Sequence, residues 1–212
     1  MTDAERVLSV LIHDLRTPLG VAHGYLRLLR GDKLPSADDR DKALASTQDA
    51  LARISRLCQD ASSFLEETPG AAAGRASASD LAGRVARALA ERGVTVDGQP
   101  AVSGSVDVGT SVDRAADAIA TLLAIRAGKT AGPVATVHGM PGELRFVCGP
   151  PQANRIVLDG AEQPFDPWRA APGLSVALAH RLVVALGGRV WTTTGDGLAL
   201  ALSLPRMESG NA

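Results

Sequence analysis

Ile12-His13-Asp14-Leu15-Arg16-Thr17-Pro18-Leu19 lies inside a long apolar-periodic run, and the reading of that run decides the fold. Leu8, Ile12, Leu15, Leu19, Ala22, Leu26 and Leu29 recur in steps of four and three, the seam of a helix packed lengthwise against other helices. His13 falls one residue off that seam, so it is expected at the edge of the packed stripe and in reach of water. Pro18 lies in the helix interior, where it removes the amide that would bond the Asp14 carbonyl, at a cost of about 3 kcal/mol. Gly20 and Gly24 cost about 1 kcal/mol each relative to alanine. His13, Thr17, Gly20 and Gly24 follow the same spacing and share one face. A helix that gives up stability to keep the face below a histidine smooth reads as a docking surface, onto which a partner's backbone can come close.

Working outward, the first helix is expected from about Asp3 to Arg30, followed by a tight connection at Gly31-Asp32-Lys33-Leu34-Pro35. Ser36 is placed to cap a second helix, with Asp39 three residues on. That helix shows its own seam at Leu44, Thr47, Leu51, Ile54, Cys58, Ala61 and Leu65. Two such helices form an antiparallel hairpin, and one hairpin cannot bury both stripes. Two copies pairing as a four-helix bundle can, so a homodimer is expected.

The stretch Thr68 to Ser79 is small-residue and aperiodic and reads as a linker. It divides a helical hairpin at 1–67 from a second domain at 80–212. In that domain Asp80 to Arg92, Asp113 to Ala127 and Leu174 to Leu186 read as helices. Val94 to Val96, Val134 to His138, Leu144 to Cys148 and Arg155 to Leu158 read as strands, and Arg189 to Thr194 with Leu198 to Leu204 as a hairpin around Gly195-Asp196-Gly197. The fold class is therefore α hairpin plus an α/β sandwich, a mixed sheet covered on one face by helices.

The 212 residues carry a net charge of -1 with 45% hydrophobic but only 3% aromatic residues, so the cores must be built from Leu, Val, Ala and Ile. No basic cluster points to nucleic acid. No apolar run approaches the length of a membrane helix, and Met1 to Arg6 is too polar for a signal peptide, so the expected location is cytoplasmic. Cys58 and Cys148 match no metal or redox spacing and are expected as free buried thiols. His23, His138, His180, Asp159, Glu162 and Asp166 attract no functional assignment.

His13-Asp14-Leu15-Arg16-Thr17-Pro18-Leu19 resembles the phosphoacceptor box of the two-component sensor histidine kinases, His-Glu/Asp-Leu-Arg-Thr-Pro-Leu, at all seven positions. The second domain resembles the ATP-binding domain of the same kinases. The matching residues are Gly173-Leu174-Ser175-Val176-Ala177-Leu178, then Gly187-Gly188-Arg189-Val190-Trp191, with Phe165-Asp166-Pro167-Trp168 where the family has its phenylalanine motif. The resemblance implies His13 as phosphoacceptor, Asp14 orienting or deprotonating it, Thr17 able to position water for dephosphorylation, and Arg16 in reach of phosphate. It implies a dimeric hairpin as well, in agreement with the stripes.

The departures fall on nucleotide chemistry. Aligned on Leu122 and Leu123, the family's magnesium-binding asparagine is Ile125, which has no oxygen for a hard cation. Cys148-Gly149-Pro150-Pro151-Gln152 stands where the family carries its adenine-binding aspartate, Ser175 replaces a glycine, and a glycine-rich lid is missing between Cys148 and Pro172. The expectation is a degenerate ATP-binding domain: no nucleotide, no resident metal and no other cofactor, with magnesium supplied by the partner. The function expected is histidine phosphotransfer, His13 exchanging a phosphoryl group with receiver-domain aspartates of response regulators, with Arg16, Gly20 and Gly24 contacting the partner. A hybrid sensor kinase is a further implied partner. Histidine suits the task because its usual pKa, about 6.5, leaves a neutral nucleophilic nitrogen at cellular pH. A non-enzymatic scaffold that regulates two-component partners and a soluble kinase with an atypical nucleotide site remain the alternatives.

Overall fold

The computed structural model describes residues 3–31, 33–65, 74–97, 102–109, 111–127, 133–150, 162–170, 173–193 and 199–207. It opens with two long helices, α1 (Asp3–Arg30) and α2 (Ala37–Leu65). The turn between them is closed by the Lys33 amide donating to the Leu28 carbonyl at 3.1 Å. Ser36 caps α2 as its spacing predicts: its Oγ accepts from the Asp39 amide at 3.1 Å and donates to the Asp39 carboxylate at 2.6 Å. The two helices belong to one of two compact units, and the elements from Arg75 onward belong in the main to the other.

The contact between α1 and α2 keeps part of the expected seams: Ala22, Thr47 and Ala61 are buried, and Leu15, Leu29 and Ile54 are half-buried. Val7, Pro18 and Ala22 of α1 are buried, and so are Ala43, Thr47, Ala50 and Ala61 of α2. Small side chains let the two backbones approach, and the Thr47 hydroxyl is satisfied by the Ala43 carbonyl at 2.8 Å. Other large residues of the expected seams lie outside: Leu8, Ile12, Leu19 and Leu26 are between 49% and 57% exposed, and Leu44 and Leu51 are similarly bare. Cys58, expected to be buried, is exposed, because it continues the Leu44 and Leu51 row at seven-residue steps.

The second unit contains β1 (Arg75–Ser77), α3 (Ala78–Glu91), β2 (Thr95–Val96), β3 (Ser105–Asp107), α4 (Val112–Ala127), β4 (Val134–Met140), β5 (Glu143–Gly149), β6 (Glu162–Pro164), the short α5 (Pro167–Ala170), α6 (Leu174–Ala185), β7 (Arg189–Thr193) and β8 (Leu200–Pro205). Six strands form a mixed sheet in the order β2-β4-β5-β8-β7-β6, parallel only between β2 and β4, while β1 and β3 pair separately. Period-two alternation sends Leu144, Phe146 and Cys148 of β5 with Leu200, Leu202 and Leu204 of β8 into one core with α3, α4 and α6. Leu81, Val85, Ile119, Leu123 and Val183 are the helical side of that core.

The sheet's other face carries a smaller cluster, Val147, Trp191, Ala199 and Ala201. The Trp191 ring there lies 5.2 Å from the Arg145 guanidinium and 5.3 Å from that of Arg189, within cation–π reach. Glu143 pairs with both arginines.

Local signals place the ends of these elements. Ser77 caps α3 by accepting from the Asp80 amide at 3.0 Å. Gly187, at φ +75°, ends α6. A side chain at Gly188 would come within 2.6 Å of the Ser203 carbonyl, so β8 can pass only a glycine there. β1 falls at the end of the stretch read as linker, and β1, β3 and β6 are elements absent from the sequence reading. The expected strand at Arg155 to Leu158, most of the linker and the Gly195-Asp196-Gly197 turn lie outside the described residues, although β7 and β8 pair antiparallel as expected.

Two partly buried histidines give this unit a pH dependence. Burial, and secondarily the cross-strand Arg145, pushes the pKa of His138 down, and its Nε2 lies 3.0 Å from Thr136 Oγ1. Burial likewise lowers His180, against the opposing pull of Asp166, in a site where its ring meets Phe165 at 5.8 Å. The unfolded chain therefore takes up these protons at higher pH than the folded one, so their stabilising effect is full above the usual histidine range and is lost as pH falls through it. The urea midpoint is expected to drop between about pH 7.5 and 5.5, with a shallower dependence in H138Q/H180Q; equal slopes in the two proteins would refute this.

Candidate functional site

The site begins with one side chain that α1 cannot bury. Its 3.6-residue repeat turns His13 away from the α2-facing row, and the imidazole is 75% exposed. Asp14, about 100° round the helix, is only 14% exposed, and its Oδ1 lies 3.1 Å from His13 Nδ1. A carboxylate can only accept, so Nδ1–H donates to it, and Nε2 is the ring nitrogen left without this partner. The ring is thus held in one tautomer by a neighbour that is itself held by the hairpin.

Below His13 the helix stays open. Arg16, Thr17, Gly20 and Gly24 are all exposed, so the predicted face exists as a surface. At Gly20 and Gly24 an added Cβ would meet nothing within 4 Å, so packing within the chain does not require glycine at either position. The missing side chains leave a groove of about 570 Å³, lined by Gly20, Val21, Gly24, Tyr25 and Leu28, with Arg27 and Lys33 toward its end. Val21, Tyr25, Arg27, Leu28 and Lys33 join the groove beyond the residues expected from the sequence. The signal for two of them was present, since Thr17, Val21, Gly24 and Leu28 continue the same four-three spacing.

Of the positions where nucleotide chemistry is expected to be lost, Ile125 and Cys148 are described, while Pro151, Gln152 and most of the segment on to Pro172, where the lid is expected to be missing, lie outside the described residues. Ile125 packs against the main core. Cys148 is fully buried in β5, and burial pushes its thiol up to about 11, so it stays a neutral thiol. Neither offers the oxygen that magnesium requires. His23 is exposed on α1 and His138 and His180 are packed as described; none of them converges on His13. No helix among the described residues is long and apolar enough to cross a membrane.

Comparison with known proteins places these features. Residues 3–65 match the His Kinase A (phospho-acceptor) domain. Among solved structures, the chain resembles the Acinetobacter baumannii histidine kinase AdeS at 12% identity and a TM-score of 0.55, over 92% of this chain and 98% of that one. It resembles the histidine kinase ThkA, in complex with the response regulator protein TrrA, at 15% identity and a TM-score of 0.59, over 97% of this chain and 64% of that one. Full-length ShkA in complex with AMPPNP is 22% identical with a TM-score of 0.50, over 98% of this chain and 47% of that one. At these identities the likeness concerns the fold. No curated protein matches the sequence. Residues 3–65 match the phospho-acceptor domain of histidine kinases, and the chain as a whole shares the fold of the histidine kinase structures.

Proposed function

We propose that this protein is a histidine phosphotransfer component of a two-component phosphorelay, in which His13 exchanges a phosphoryl group with receiver-domain aspartates without ATP-dependent autophosphorylation. The observation that carries the reading is the exposed imidazole with Nδ1 tied to Asp14 and Nε2 free. Nε2 attacks the phosphorus of a receiver's aspartyl phosphate. A P–N bond forms as the P–O bond breaks, and the receiver carboxylate leaves with the electron pair. The ring becomes cationic with its Nδ1 hydrogen in place, and the Asp14 carboxylate stabilises that charge. The loose transition state of phosphoryl transfer asks little covalent help of the protein, so a nucleophile and a docking face suffice here. The magnesium ion comes with the receiver domain. Thr17, one turn along, is placed to orient water for hydrolysis, and Arg16, Gly20 and Gly24 meet the partner.

Two further observations support parts of this reading. Ile125 packs on the core where the resemblance puts a metal ligand, and the buried Cys148 thiol opens the stretch Cys148 to Gln152 where it puts an adenine-binding aspartate, which favours a domain kept for its shape. The bare row of Leu8, Ile12, Leu19, Leu26, Leu44 and Leu51 favours a homodimer that buries it as a four-helix bundle.

The deciding experiment follows labelled phosphate. A phosphorylated receiver domain is expected to label the wild-type protein and not H13Q, while labelled ATP with magnesium leaves both unlabelled; label from ATP on His13 would make the protein a kinase. G20A/G24A is expected to raise the melting temperature, at up to about 1 kcal/mol per site, yet to slow transfer by raising KM. Faster or unchanged transfer in that variant would remove the docking face from the mechanism. For the dimer, I12K/L19K is expected to sediment as a monomer at concentrations where the wild type sediments as a dimer.

A further inference from the structure

We draw no further inference here: the strongest candidate, the side-chain cluster of Arg145, Trp191 and Arg189 on the sheet face turned away from the helices, has buried donors without a partner among the described residues but offers no free charge, since Glu143 pairs with both arginines, and nothing in the structure shows what covers it.

Discussion

The contact of α1 with α2 has to offset a helix that argues against itself. Pro18, Gly20 and Gly24 together cost about 5 kcal/mol of intrinsic helix stability. The side chains that α1 buries against α2 are mostly small, Val7, Pro18 and Ala22 against Ala43, Thr47, Ala50 and Ala61. Their burial is worth far less than that of a leucine seam. The leucines and isoleucine that would supply more are half exposed on the next row, and each gains on the order of 1 kcal/mol when its remaining surface is covered. Six such side chains per protomer match the deficit. On this arithmetic the proposed second copy is what makes a grooved helix affordable.

The same arithmetic explains how the sequence misleads. Two heptad rows run side by side on α1, and a reader weights the row with larger residues. That row is Leu8, Ile12, Leu19 and Leu26, whereas the intrachain contact uses the row of small ones. Both rows give the same helix and the same bounds, so α1 and α2 were legible to within a residue or two, while their facing was legible only in part, at Ala22, Thr47 and Ala61. Cys58 went wrong with its row. The large strands β4, β5, β7 and β8 were legible because alternation and β-branched residues persist over five to seven positions. β1, β3 and β6 are three residues long, and pairing alone makes them strands. Of the site, His13 and its partner were readable because the box is contiguous in sequence. Arg27 and Lys33 were not, because membership of the groove depends on where a long side chain lies.

Packing and chemistry separate cleanly in the second unit. The residues that hold helices to sheet, such as Leu81, Ile119, Phe146 and Leu202, are fully buried and apolar. Ile125 and Cys148 are apolar too and join the same core. An asparagine at 125 would bring a polar amide to a position that now packs against hydrophobic neighbours, a costly exchange without a metal to receive it. The sheet and its helices hold each other through this interior, whatever stands at these two positions.

Asp14 is where packing and chemistry meet. It is the mostly buried member of the His13 pair, lying toward the side of α1 that Val7, Pro18 and Ala22 turn to α2. A carboxylate there is anchored by the hairpin, and through a 3.1 Å contact it anchors the imidazole. The exposed ring would otherwise sample several rotamers and both tautomers. Fixing it costs entropy once, in folding, and spares that cost at each encounter with a partner. On the proposed phosphotransfer reading, an exposed nucleophile on a helix, oriented from behind by a mostly buried carboxylate, is ready for a partner that supplies the rest of the reaction.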